Sequence, residues 1–425
     1  MGTRLIAQYY LLFLCLNIFL PKIDFGFGQF YVFDFVNILL FGLLIARGRI
    51  FANSPVITTY ALFMVLGILT FVVGMINFSF FDATSFFRLL KFTLFLLFLV
   101  IPYYLYREYS FKDLMRVLNF QVLFVVLSGL YVVYHMIFQP MSASDYAWSY
   151  DNRYRLIGLT SYAVDLDGSL KLIGSTSVSM GVFLAFLILV FFSLYKFHRK
   201  TWYLVIVLIL LGGELLTYSR AGILTLLIGF AYYFFLNLRP VVMARLAAIT
   251  LAFIVGIIAF DATQSLSRFG TITKITTFSF EEDSSIGTRV NMLEAGMQYI
   301  ADHPITLLWG SGYGEAYIKE AIGYDHLEGL VPTTLFTSGL IAVLVVVLHF
   351  YFVWYLSKWN SRSDSEFRPF MYGLRLFVPG WFVSSALAGN TFQTDFYFAT
   401  IYFVFFVSYF KIRAADAVQP KLASG

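Results

Sequence analysis

Apolar stretches long enough to cross a bilayer recur along this chain, and they restrict it to folds in which most helices face lipid or each other. Crossing the hydrocarbon layer takes about 20 apolar residues, because that layer is about 30 Å thick. Candidate spans fall at 5–20, 31–46, 55–77, 86–106, 113–138, 173–195, 201–218, 221–236, 241–262, 333–357, 371–388 and 393–411. The composition agrees: of 425 residues 60% are hydrophobic and 12% charged, where a soluble domain carries about twice that share of charge. The spacing predicts an all-α, polytopic integral membrane protein with about 12 transmembrane helices, folded as a single membrane domain over 1–425. The first span follows a single Arg and lacks a small-residue cleavage site, so it reads as an anchor, not a removed signal peptide.

Lys and Arg set the orientation, since they collect in short cytoplasmic connections. Alternate connections carry Arg47 and Arg49, then Arg107, Lys112 and Arg116, then Lys196, Arg199 and Lys200. Arg239 and Arg245 follow, then Lys358, Arg362 and Arg368, then Lys411 and Arg413. With an even number of spans, both termini are expected in the cytoplasm. The net charge of +5 is then explained by this asymmetry, and no nucleic-acid partner is expected. Cys15 stands alone in an apolar span, and no Cys/His pattern suggests a metal.

Two long connections remain on the opposite side, 139–172 and 263–332. Loops of this length are functional or disordered, and both retain aromatic and aliphatic residues among the polar ones. The first holds Tyr146, Trp148 and Tyr150, then Asp151, Arg153 and Arg155. Its aromatics suit an interfacial belt or stacking on sugar rings. Asp165-Leu-Asp167 is the kind of pair that chance supplies in a polar loop. In the second loop, Val290, Leu293, Met297 and Ile300 recur at helical spacing over 288–301 and predict an amphipathic surface helix. Thr288 can cap its start, Pro304 lies beyond its end, and Arg289, Glu294 and Gln298 fall off the apolar stripe. Gly310, Gly312 and Gly314 form a turn whose amides can meet a phosphate. Asp325, His326 and Glu328 then precede a span, and such an acid–imidazole–acid cluster can supply a general base.

Charges also sit inside the apolar stretches: Arg88 and Lys91, Glu214, Arg220 and Arg375. Such residues line cavities, pair, or snorkel to the surface. Glu214 and Arg220 are a possible pair in composition, but they are about two helical turns apart. Arg88, Arg153, Arg155, Arg220 and Arg289 all fall on or near the non-cytoplasmic side. Arginine holds phosphate in a fork, so this grouping points to an anionic lipid headgroup, with a pyrophosphate fitting best.

Three segments carry a family resemblance. LTYSRAGIL (216–224), with Tyr218 and Arg220, resembles the Thr-x-Ser-Arg-Gly/Ala junction of the O-antigen polymerase and O-antigen ligase superfamily. GTRVNMLEAGMQYIADHPITLLWGSGYGEAY (287–317) resembles that family's loop: an Arg opening a helix, then a Pro, then a Gly-x-Gly turn. Arg155-x-x-Gly158 followed by GSTSVSMGVFLAF (174–186) is similar to its small-residue helix start. The likeness covers roughly 150–350.

The resemblance implies an inner-membrane glycosyltransferase acting at the periplasmic face on undecaprenyl-pyrophosphate-linked oligosaccharides, with no cofactor or metal. Both long loops are then periplasmic. Direct displacement of pyrophosphate inverts the anomeric centre. Arg220 and Arg289 are the expected clamp, Asp325, His326, Glu328 and Glu294 the candidate bases, and Arg88, Arg153, Arg155, Tyr218 and Gly312 the substrate contacts. A polymerase moves the growing glycan onto a lipid-linked repeat unit, with a chain-length-regulating co-polymerase as a possible partner; a ligase moves the finished glycan onto lipid A–core. Ligases tend to carry His-Asn ahead of the last conserved span, whereas Leu327 follows His326 here and Gly339 comes late, which favours the polymerase. A lipid-linked oligosaccharide flippase is the alternative from another class, but it needs charges deep in many helices and short loops.

Overall fold

The computed structural model describes residues 2–16, 22–24, 29–46, 54–138, 156, 162–164, 170–172, 177–217, 219–237, 284–324, 327–388 and 397–423. Helices dominate. The first are α1 (Thr3–Leu16), α2 (Val32–Ile45), α3 (Pro55–Phe78), α4 (Ala83–Leu105) and α5 (Phe111–Phe138). Next come α6 (Ser177–His198), α7 (Thr201–Thr217) and α8 (Arg220–Leu236). Then follow α9 (Ser284–Asp302), the short α10 (Thr306–Trp309) and α11 (Glu315–Ile322), and finally α12 (Leu330–Asn360), α13 (Arg368–Ala388) and α14 (Tyr397–Ala423). A helix stands over each expected span except 241–262, which lies outside the described residues.

Among the described residues six helices are long and apolar enough to cross a membrane, and α1, α2, α7 and α8 are apolar but shorter. The two 17-residue helices α7 and α8 reach only about 25 Å at 1.5 Å per residue. Around the outside, α3, α5 and α12 expose aliphatic side chains such as Ile76, Leu130 and Leu344. A helix that is apolar all round belongs in the interior, and α6 is that helix: every residue from Val182 to Val190 is fully buried. It packs against α7, α8, α13 and α14. One buried polar chain ties three other helices together. Thr59 Oγ1 of α3 lies 3.0 Å from His349 Nδ1 of α12, and His349 Nε2 lies 2.6 Å from the Tyr402 hydroxyl of α14.

The expectation of an all-α chain needs one addition. A small sheet in the order β2-β1-β3-β4 joins β1 (Lys22–Asp24), β2 (Gln29–Tyr31), β3 (Tyr162–Val164) and β4 (Leu170–Leu172). β1 pairs antiparallel with β2 and parallel with β3, so the α1–α2 connection is stitched to the first long loop. Three-residue strands carry no readable alternation, and their pairing is set by tertiary contact.

The helix ends sort into two sides. Ser384 near the end of α13 accepts from Thr225 of α8 at 2.8 Å, and a Cβ at Gly329, just before α12, would lie 2.5 Å from the Ala386 carbonyl of α13. The starts of α8 and α12 therefore share one side of the bundle with the end of α13. The ends of α6, α8 and α12 and the start of α13 occupy the other.

Candidate functional site

The site side is organised by a break in α12. Gly339 sits at φ 75°, ψ 179° inside this helix, a conformation that glycine tolerates and other residues resist. The break interrupts the helical ladder, which leaves the carbonyls of Phe336 and Thr337 open to outside donors. Ser311 N donates to Phe336 O at 2.8 Å and Gly312 N to Thr337 O at 3.2 Å. Tyr313 N reaches across to Thr70 O of α3 at 3.2 Å. The amide of Gly312, which the sequence offered to a phosphate, is thus engaged within the protein. Its glycine serves close approach instead: a Cβ there would lie 2.4 Å from Gly74 Cα of α3.

After this turn the chain docks on the α3–α4 corner. Asp82 caps α4 by accepting from Ser85 N at 3.2 Å, and its carboxylate also bonds the Ser85 hydroxyl. The first amides of α11 are drawn to the same pair: Glu315 N donates to Ser85 Oγ at 3.2 Å and Ala316 N to Asp82 Oδ2 at 3.4 Å. Tyr317 donates its hydroxyl to Phe80 O at 3.0 Å and stacks on Phe78 with ring centres 5.5 Å apart. Nearby, burial pushes the Tyr313 phenol up to about 12, against the lowering pull of Arg88 and with the raising push of Glu315. Its proton therefore stays in place, and it is no base at neutral pH.

Two arginines singled out in the sequence have carboxylate partners. Arg88 pairs with Glu315 at the start of α11. Arg289, in the second turn of α9, pairs with Glu328 just ahead of α12. Glu315 had no place among the expected site residues, since its position one residue after a Gly-rich turn carries no periodic signal. Arg220 is the first residue of α8, capped by Ser219, whose Oγ accepts from Gly222 N at 3.1 Å. It is exposed at the same side of the bundle as Glu328. Glu294 is exposed on α9. Asp325, His326, Arg153, Arg155 and Tyr218 lie outside the described residues.

The second-loop helix exists, but it begins at Ser284, so Thr288 lies within it and is no cap. Its docking on the protein uses mostly residues outside the apolar stripe. Met292 is buried with Ile318, Leu327 and Phe336, and Tyr299 and Ile300 pack alongside. Val290, Leu293 and Met297 of the expected stripe are exposed, and so are Ile305, Leu307, Leu308 and Trp309 beyond it. This apolar surface suits contact with the bilayer interface, while the other face docks on α11 and α12.

Glu214 is not paired with Arg220 through their shared segment. Its side chain is fully buried, and neither carboxyl oxygen has a hydrogen-bond partner among the described residues. It faces Gly181 of α6 and Gly222 of α8, where a Cβ would lie 3.2 Å and 2.1 Å from Oε1. A buried carboxyl without a bond is costly, and this one lies directly beneath the Ser219–Arg220 junction.

Residues 205–335 match the family model described as O-antigen ligase. The match is consistent with the O-antigen polymerase and ligase superfamily that the sequence motifs resemble. It runs from α7 to the start of α12 and takes in Arg220, Arg289, Glu315 and Glu328. No curated protein matches the chain.

Proposed function

We propose that this chain is an O-antigen (or related surface polysaccharide) polymerase of the bacterial inner membrane. It transfers the growing undecaprenyl-pyrophosphate-linked glycan onto a lipid-linked repeat unit at the periplasmic face. In this reading the chain crosses the membrane about 12 times with both termini in the cytoplasm, and 139–172 and 263–332 are periplasmic. The observation that supports a transferase of this superfamily is the family match over 205–335, which takes in Arg220, Arg289 and Glu328 at one side of an apolar bundle; within the superfamily, Leu327 in place of a polar residue after His326 favours the polymerase.

Pyrophosphate departs readily once its oxygens are held by positive charge, so the step needs cations more than a strong acid. Arg220 and Arg289 supply that charge without a metal, and Arg88, Arg153 and Arg155 assist with Tyr218. Fixed charge aimed at a departing anion is often the largest catalytic contribution. The acceptor hydroxyl attacks the anomeric carbon, the bond from that carbon to the pyrophosphate oxygen breaks, and the configuration inverts. The hydroxyl proton passes to a base drawn from Asp325, His326, Glu328 and Glu294. The length of α7 and α8 is compatible with the clamp: about 25 Å falls just short of the hydrocarbon layer of about 30 Å, so Arg220 at the start of α8 would lie at its edge, where a long side chain can reach a headgroup phosphate. Arg289 pairs with Glu328, so a pyrophosphate gripped by Arg289 would displace the carboxylate, leaving it beside the donor and able to accept a proton.

The ligase reading is favoured by one observation, the description of the matching family. A gel of surface glycan from a strain lacking the gene separates the two. Single repeat units on the final acceptor, with no ladder, support the polymerase. Full-length polymer left on the lipid carrier overturns it in favour of the ligase. Normal glycan in strains carrying only the Arg220→Ala or Arg289→Ala protein, at normal expression, would sink the clamp.

A further inference from the structure

The opposite side of the bundle holds a second cationic cluster that the transfer reaction does not use. Lys196, at the end of α6, is half-buried. Its ammonium donates to the Tyr372 hydroxyl at 2.8 Å and to Asn237 Oδ1 at 3.4 Å. It also sits over the rings of Tyr372 and Tyr233, 4.2 and 4.7 Å from their centres. Arg375 lies about two turns inside α13 and is only 9% exposed. Its side chain runs back towards the helix start, with Nη1 3.4 Å from Ser361 Oγ and Nε 3.4 Å from the Tyr232 hydroxyl. Arg368 stacks on Phe197 at 4.7 Å. The guanidinium groups of Arg368, Arg375 and Arg199 all lie within electrostatic range of Lys196.

Buried charges in proteins are paired, because an uncompensated one is expensive. Here the pairing is deficient among the described residues. Lys196 and Arg375 have only neutral partners, and the carboxylate that meets Arg368, Asp364, is fully exposed and 3.7 Å away. The backbone adds a second sign. Arg199 adopts φ 56°, a left-handed conformation that costs a non-glycine residue energy and tends to persist where function holds it. That conformation ends α6 and brings a further cation to the rim of the cluster.

We propose that Lys196, Arg199, Arg368 and Arg375 form a binding site for a phosphate group carried by an anionic phospholipid of the adjoining leaflet. Half-buried Lys196 and buried Arg375, bonded only to neutral groups among the described residues, leave positive charge that a phosphate would balance. Arginine forks grip a phosphodiester, and the rings of Phe197, Tyr232, Tyr233 and Tyr372 flank it at headgroup depth as interfacial aromatics do. Basic pockets between membrane helices hold anionic headgroups in this way. The site is independent of the transfer reaction and stands or falls without it.

The test uses the full chain purified in detergent, with lipid retention read by native mass spectrometry and melting by intrinsic fluorescence. Phosphatidylglycerol is expected to be retained and to raise the melting temperature, and phosphatidylcholine is not. Lys196→Met and Arg375→Gln should each weaken phosphatidylglycerol binding about fivefold, the factor expected per cation near an anionic headgroup. Arg199→Gln and Arg368→Gln, at the more exposed rim, give the same reading if the inner variants fold poorly. Lys411→Gln, a basic residue outside the cluster, should leave binding unchanged. Equal retention of both lipids, full binding by the rim variants, or an equal loss in Lys411→Gln would overturn the proposal. So would an equal melting shift from millimolar inorganic phosphate, since the anion would then be soluble and not a lipid.

Discussion

The guanidinium of Arg289 on α9 is paired with the carboxylate of Glu328 at the entrance to α12, joining across the fold two residues that lie far apart in the chain. Each is about one-third exposed, so the pair is accessible to a competing anion. Arg289→Ala should reduce polymer formation about 100-fold or more, as loss of one donor to a developing anion does. A double-mutant cycle with Glu328→Ala should give a coupling of about 0.5–3 kcal/mol in the transfer step. Strictly additive losses, read from polymer yield on purified lipid-linked substrate, would show that the two residues do not act together.

Arg88 and Glu315 form the corresponding link between α4 and α11. Both are about half exposed, so the pair contributes little stability in water-facing surroundings, under about 1 kcal/mol. Reversing either charge alone should lower the melting temperature slightly, and the double reversal Arg88→Glu with Glu315→Arg should restore it. Transfer should remain impaired in the double variant if Arg88 contacts the pyrophosphate. Recovery of transfer together with stability would assign Arg88 a structural task alone.

Asp82 serves two helices at once, capping α4 and receiving the Ala316 amide of α11. Asp82→Ala should cost about 1 kcal/mol for the lost cap and should loosen the docked turn. Hydrogen exchange at residues 311–317 is expected to accelerate in the variant. Exchange there that matches the unaltered protein would mean that α12, not the α3–α4 corner, holds the turn.

Gly222 and Gly212 make a matched pair. A Cβ at Gly222 would lie 2.1 Å from Glu214 Oε1 and 2.6 Å from the Gly181 backbone, whereas one at Gly212 meets nothing within 4 Å. Gly222→Ala should destabilise the protein by about 1–3 kcal/mol through overpacking. Gly212→Ala should be neutral or stabilise it by up to about 1 kcal/mol. Thermal melting in detergent compares the two. If Gly222→Ala melts like Gly212→Ala, the three-helix junction beneath Arg220 is loose enough to take a methyl group. Glu214→Gln keeps the shape of that junction and removes its ionisable group, so it should retain stability.

The spans were legible because lipid imposes a one-dimensional requirement: a run of about 20 apolar residues per crossing, whatever its neighbours are. The same logic exposed Arg88 and Arg220, since a cation in or beside such a run is conspicuous, whereas Arg289 stood out by falling off the apolar stripe of 288–301. The helix at 284–302 was legible from periodicity, but its docking face was not. Both of its faces carry apolar residues, and the choice between Met292 and Leu293 depends on where Leu327 and Phe336 come to lie.

Local sequence thus determined the class of fold, most of the helical segments and the cationic residues proposed to hold an anionic lipid carrier. Tertiary structure decided the partners. It joined Arg88 to Glu315 and Arg289 to Glu328, engaged the amides of Gly310, Ser311, Gly312 and Tyr313 within the protein, and left half-buried Lys196 and buried Arg375 beside neutral groups. It also paired the strands at 22–24 and 162–164. The reason is physical: bilayer crossing and helix formation are set within a short stretch of chain, whereas ion pairing, close backbone approach and strand pairing depend on residues that only packing brings together.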